Sequence, residues 1–400
     1  MVVSKLDTTF LTTFACLIIV GLTGCASPAR LPALPINAAP AVQPYDIPDA
    51  RFYAEADNAR IASIAKKALR RRLRSRGKSK QLSLLAISGG ADDGAFGAGL
   101  LVGWTERGTR PKFDVVTGIS TGALSAPFAY LGSAFNARLT KIYTKTSAED
   151  IFKKRGPILA SFASDALTDS SPLRVMIARH MSNAVVRRIA EEYGKGRLLF
   201  VLTTNLDQGR AVIWNIGAIA ESRHSRARKL IVDILLASAA VPGVFPPVML
   251  DVMVDGKRYQ EMHVDGGTVA QAFLYPPSYS PRRLRDKGLR SKLPNKRVAY
   301  IIRNGRARRP EKQVRRQTLA IASQAISTMI ASSGVNDTYR MYTTTKRDGI
   351  AFRLAYIGGN FTEPYPGRFD RKYMNALYQY GYKLGRQGVQ WLKTPLGYAN

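Results

Sequence analysis

The sequence predicts an α/β fold whose central sheet has much parallel pairing. Short apolar runs of strand length recur at residues 81–87 (QLSLLAI), 113–117, 198–204 and 298–303. Longer segments of helical character, such as 231–240 and 318–332, lie between them. Runs this apolar read as strands covered on both faces, and their alternation with helices points to crossover connections. No internal repeat is visible, and no second core-forming region has its own linker. Residues 55–400 therefore read as one domain, and a 46% hydrophobic chain has ample material for its core.

The N-terminus reads as export machinery. Residues 8–22 (TTFLTTFACLIIVGL) form an almost uncharged run preceded by Lys5 and Asp7, too short for a spanning helix and suited to a signal peptide. The run ends in Leu22-Thr23-Gly24-Cys25, which resembles the lipobox of bacterial lipoproteins. That likeness implies removal of residues 1–24 and lipidation of Cys25. With Ala26 next to it, the pattern implies the outer membrane in a Gram-negative source. Cys16 would leave with the signal, so the mature chain would hold no pair of cysteines for a disulfide. Residues 25–54 are Pro- and Ala-rich and read as an extended tether. A helical-looking stretch starts near Ala50.

Sixty Lys plus Arg against 28 Asp plus Glu leave a net charge of +32. This charge, with so much apolar content, excludes wholesale disorder, and a single apolar run of near-spanning length excludes a polytopic membrane protein. An anionic partner is expected. The basic residues concentrate in runs 66–80, 282–297 and 303–316, which hold nine, eight and seven of them with at most one acid each. These runs lack interleaved aromatics and any nucleic-acid reading motif, which argues against nucleic acid and for anionic lipid headgroups.

The sharpest chemical signal is Gly118-Ile119-Ser120-Thr121-Gly122, a G-x-S-x-G directly after an apolar strand and before a helical run at 123–131. Glycines allow the sharp strand-to-helix turn that holds a serine hydroxyl out at the sheet's carboxyl edge. Serine needs a base. The chain has three histidines, His180, His224 and His263, and no histidine follows residue 263, where an ordinary serine triad would place one. The alternative is Asp265, at the end of a strand-like run 258–264 and followed by Gly266-Gly267. An aspartate with an ordinary pKa is a poor base for a hydroxyl, so this reading requires a partly dry site. A third element, Ser88-Gly89-Gly90-Ala91-Asp92-Asp93-Gly94-Ala95-Phe96-Gly97-Ala98-Gly99, is again strand, glycine-rich turn, helix. It lacks the Lys-Ser/Thr of a phosphate loop and the spacing of a dinucleotide loop, and fits an oxyanion site better.

Taken in order, these motifs resemble the patatin-like phospholipases, and Ala237-Ser238-Ala239-Ala240-Val241-Pro242-Gly243-Val244-Phe245-Pro246-Pro247 extends the likeness. The resemblance implies a three-layer α/β/α fold, a Ser120–Asp265 dyad, an oxyanion hole from the backbone of Gly89, Gly90 and Ala91, and hydrolysis of acyl esters of lipids without metal or cofactor. Two positions depart from the family. Ala91 stands at its third glycine, where a negative φ would preserve the backbone donor, and Asp93 stands at its basic position. An acid beside a developing oxyanion is unfavourable unless it points away. The departures leave open a member that has lost catalysis and only binds anionic surfaces. Residues 369–391, rich in tyrosine, read as a helix packed on the domain.

Overall fold

A computed structural model describes residues 28–39, 41–55, 57–77, 80–154, 165–281, 288, 291–306 and 313–398. The signal-like run and Cys25 lie outside the described residues, as do five of the eight basic residues of the run 282–297 and the middle of 303–316.

The strands, in chain order, are β1 (Arg51–Tyr53), β2 (Gln81–Ile87), β3 (Val115–Gly118), β4 (Lys153–Lys154), β5 (Thr168–Asp169), β6 (Leu198–Asn205), β7 (Arg210–Asn215), β8 (Val248–Val254), β9 (Lys257–Asp265), β10 (Lys296–Arg306) and β11 (Ala351–Ile357). β4 and β5 pair only with each other. The remaining nine form one sheet in the order β1-β7-β6-β3-β2-β10-β11, with β9 also on β6 and β8 on β9. From β6 to β11 the pairing is parallel, while β1, β7, β8 and β9 join antiparallel. Helices cover both faces, giving three α/β/α layers. On β2, Leu85 and Ile87 enter the core on one face and Leu84 and Ala86 the core on the other, which is why its sequence is continuously apolar.

The exchange of partners along β6 positions the two candidate residues. β3 pairs with β6 only as far as Gly118 opposite Val201. β7 occupies the other edge of β6, so β9 takes over where β3 stops and places Asp265 opposite Thr203. Asp265 thus lies about 7 Å further along β6 than Gly118, beside the turn that carries Ser120.

On one face the helix Gly94–Glu106 packs against Arg371–Gln387, which falls within the expected C-terminal helix. Their backbones touch. A Cβ on Gly99 or Gly103 would lie 2.0–2.1 Å from the carbonyl of Tyr378 or Tyr382, and one on Gly381 or Gly385 would meet those of Phe96 and Leu100 at 2.2–2.4 Å. Gly97 and Gly99, at the end of the glycine-rich sequence, are therefore helix residues and not part of a loop.

The N-terminal segment differs from the tether its composition suggests. Leu34, Ala39, Ile47 and Ala50 are buried in the main core, and Arg30 forms a bidentate pair with Asp207 at 2.7 and 2.8 Å. Ala33 bridges to Gln260, and residues 51–53 form an edge strand, not the start of a helix. Proline prevents a helix here, but enough apolar side chains remain to bury. The helix Asn58–Arg76 follows. Within the basic run 66–80, Arg72 is buried on Asp114, Arg71 pairs with Glu221 and Lys67 with Asp49. Much of that run holds the fold, and Arg70, Arg74 and Lys80 are left exposed.

Candidate active site

Ser120 has φ 54° and ψ −126°, a strained conformation between β3 and the helix Thr121–Leu131. The flanking glycines are required by backbone contact: a Cβ on Gly118 would stand 2.4 Å from the carbonyl oxygen of Gly122, and one on Gly122 would stand 2.2 Å from that of Ile87. The Ser120 N–H donates to Ser238 Oγ at 3.0 Å, and that hydroxyl donates to the carbonyl of Leu202 at 2.7 Å. Ser120 itself is only 8% exposed.

Asp265 is held through its backbone and through one carboxylate oxygen. Its N–H donates to the carbonyl of Ala240 at 2.9 Å, and its carbonyl accepts the Thr204 hydroxyl at 3.1 Å. The segment 237–247 thus supplies a support for each of the two residues, through Ser238 and Ala240. Asp265 Oδ1 accepts the N–H of Gly267 at 2.6 Å, while Oδ2 is buried without a hydrogen-bond partner among the described residues. Burial pushes the carboxyl up to about 7, against the weaker pull of the Ser120 hydroxyl and the Gly267 N–H toward the charged form. Among the described residues no formed hydrogen bond joins the Ser120 hydroxyl to the carboxylate, as is common before substrate binds. The dry surroundings that an aspartate base requires are present.

The small-residue turn 88–91 follows β2 and runs directly past Ser120. A Cβ on Gly89 would lie 3.4 Å from Ser120 Cβ. The turn is pinned by Asn304, which donates its backbone N–H to Ser88 Oγ and its Nδ2 to the Ser88 carbonyl, and accepts the Gly97 N–H. The turn differs from the sequence expectation at Gly89 and at Ala91. The N–H of Gly89 is already given to the carbonyl of Gln271 at 3.0 Å, so it is not a free donor. Among the described residues no acceptor takes the N–H of Gly90 or Ala91. Ala91 has a φ of +51°, not a negative one, so alanine occupies a conformation that favours glycine.

The two aspartates of the turn point away from Ser120. Asp93 accepts the Tyr373 hydroxyl at 2.7 Å, and Asp92 accepts the Phe369 N–H at 3.0 Å. Both partners lie at the start of the C-terminal helix region. Burial raises the pKa of Asp92, against the N–H of Phe369.

The histidines stand elsewhere. His263 is fully buried, with Nδ1 2.9 Å from Thr203 Oγ1 and Nε2 3.4 Å from Glu261. Burial alone would raise the Glu261 pKa, but Arg51 and His263 hold it at about 2. His224 stacks on Tyr45 and His180 lies edge-on to Phe128. Among the described residues no three His, Cys, Asp or Glu side chains gather closely enough to hold a metal ion. An apolar cavity of about 130 Å³ between the helix Asn58–Arg76 and the sheet, lined by Phe52, Ile64, Phe200 and Leu274, includes neither Ser120 nor Asp265.

Ser120, Asp265, Gly89, Gly90, Ala91, Gly118 and Gly122 are thus brought together at the carboxyl edge of the sheet. Gln271 was not among the expected residues. Its carbonyl takes the Gly89 N–H and its Nε2 donates to the Gly267 carbonyl at 2.9 Å, so it ties the two loops flanking Ser120 to each other. Its place six residues after Asp265 is the one signal that could have drawn attention to it.

Residues 85–276 match the patatin-like phospholipase family. No curated protein sequence is significantly similar to the chain. Among solved structures it is similar to "Crystal structure of VipD from Legionella pneumophila", with 11% sequence identity and a TM-score of 0.32. That alignment covers 77% of this chain and 66% of the other, and a likeness so distant carries no argument about activity.

Proposed function

With residues 85–276 carrying a patatin-like phospholipase domain, we propose that the chain hydrolyses acyl esters of lipids through Ser120 and Asp265. The observation that carries this reading is the pairing of a strained serine with a buried carboxyl raised to about 7, at the end of one sheet. Asp265 takes the Ser120 proton as Oγ attacks the ester carbonyl, and the N–H groups of Gly90 and Ala91 receive the negative oxygen. The tetrahedral intermediate collapses, the ester C–O bond breaks, and Asp265 returns the proton to the departing alkoxide. Water then gives a proton to Asp265 as it attacks the acyl-serine, the bond from the acyl carbon to Ser120 Oγ breaks, and Asp265 returns the proton to Oγ as the fatty acid leaves.

The lipobox-like sequence at Cys25 supports anchoring to a membrane on the exported side, and the exposed part of the basic runs favours anionic lipid there. The test is release of fatty acid from phospholipid vesicles by the purified chain. Ser120→Ala should lower the rate by about three orders of magnitude or more. A Ser120→Ala protein that still turns over would remove the proposal.

A further inference from the structure

We infer that the first half of the helix Thr318–Asp348 is an arm that inserts into an anionic phospholipid surface and brings the site to its substrate, an inference that rests on the lipid-hydrolase reading above. The second half of this helix packs on the sheet through Met341 and Tyr342. The first half does not: among its described residues, none between 318 and 333 is buried. That stretch is about 24 Å long. It exposes Ile321, Ile326 and Met329 at 54%, 50% and 70%.

Three observations select the occupant. Residues 317–336 contain no charged side chain, in a chain that is 22% charged, so the arm carries nothing that must stay in water. The sequence leading into it, 303–316, holds seven basic residues and one acid, and Arg315 and Arg316 are exposed just before its free N-terminal end. An uncharged apolar helix preceded by cations matches a bilayer with anionic headgroups, and a protein groove would not require the cations. Finally, the arm is rooted at the site. A Cβ on Gly334, where burial begins, would lie 3.5 Å from Gln271 Cβ, and Asp337 Oδ2 accepts the N–H of Ala272 at 3.1 Å and that of Gln271 at 2.5 Å. Among the described residues no helix is long and apolar enough to cross a membrane, so the arm would lie in the interface.

Met329→Trp in the full chain tests this with equimolar phosphatidylglycerol and phosphatidylethanolamine vesicles carrying brominated acyl chains. Fluorescence at position 329 should fall about two-fold, while Val175→Trp, on a helix of the opposite face, should be unchanged. Ile326→Asp with Met329→Asp should slow fatty-acid release from these vesicles about ten-fold, yet change hydrolysis of a soluble short-chain ester by less than about two-fold. Absence of quenching at 329, or wild-type vesicle turnover by the double variant, overturns the arm. Concentration-dependent self-association that the double variant abolishes, without quenching, also overturns it in favour of a second copy. If the wild-type chain hydrolyses neither substrate, the catalytic reading fails, and quenching alone decides the arm.

Discussion

The hydroxyl of Tyr373 donates to the carboxylate of Asp93 at 2.7 Å, joining the C-terminal helix to the turn beside Ser120 across 280 residues of sequence. An acid at this position looked hostile to an oxyanion, and this bond explains how the site tolerates it. The negative charge is oriented away from Ser120 and held there. Burial together with the neighbouring Asp93 charge raises the Tyr373 pKa, so the phenol stays a donor throughout the ordinary pH range.

Tyr373→Phe should therefore cost about 1.5 kcal/mol of stability, as expected for a hydrogen bond to a charged group. It should also slow ester hydrolysis, because Asp93 loses the contact that orients it. Adding Asp93→Asn should restore part of the rate. Urea unfolding and initial rates on a soluble ester check both outcomes, and a double variant slower than Tyr373→Phe would refute the charge argument.

Ala91→Gly should stabilise the protein by about 1 kcal/mol, since it relieves a residue held at a φ of +51°. Glycine's greater freedom in the unfolded chain offsets part of the gain. Turnover should be kept, because the N–H at this position is unaltered. Thermal melting is the measurement, and a lower melting temperature would contradict the strain.

On the proposed mechanism, Asp265 couples activity to pH in a defined direction. It must be ionised to act as a base, so kcat/KM should climb with pH and level off above about 7. Stability should run the opposite way. The folded-state pKa lies above the ordinary 3.8, so the stabilising contribution of the protonated carboxyl is complete below that value and is lost as pH rises through about 7. Asp265→Asn should abolish turnover yet raise the melting temperature at pH 8 more than at pH 5. An equal gain at both would mean that the carboxyl is not raised.

Gln271→Ala should lower kcat about ten-fold with little change in KM for a soluble ester, the pattern of a group that positions others. The side chain bond to Gly267 is lost while the backbone acceptor for Gly89 remains. A change confined to KM would place Gln271 in substrate binding instead.

The parts of the site legible in the sequence are those whose chemistry sits within a few residues. Ser120 announces itself by flanking glycines that two backbone contacts demand, and Asp265 by the Gly-Gly turn that bonds its carboxylate. The strands β2, β3, β6 and β10 are legible because their sequences are largely apolar for the length of a strand. What remained hidden comes from distant partners. Nothing in the local sequence shows that Ser238 holds the Ser120 N–H from 118 residues away, or that Asn304 pins Ser88 from 216 residues away. The docked segment 28–53 was misjudged because a Pro-rich composition reports on backbone stiffness, and not on whether a complementary surface awaits it. Arg51 shows this, since its buried partner Glu261 lies 210 residues further along the chain.

The interlocked glycines of Gly94–Glu106 and Arg371–Gln387 make that helix pair behave as a dovetail joint. With backbones in contact at Gly99, Gly103, Gly381 and Gly385, neither helix can slide gradually past the other. The next permitted register is a whole turn away, about 5.4 Å. A displacement of that size would withdraw Tyr373 from Asp93 altogether. The turn beside Ser120 is accordingly not tunable by small movements of its supporting helices: it is either locked in register or undone.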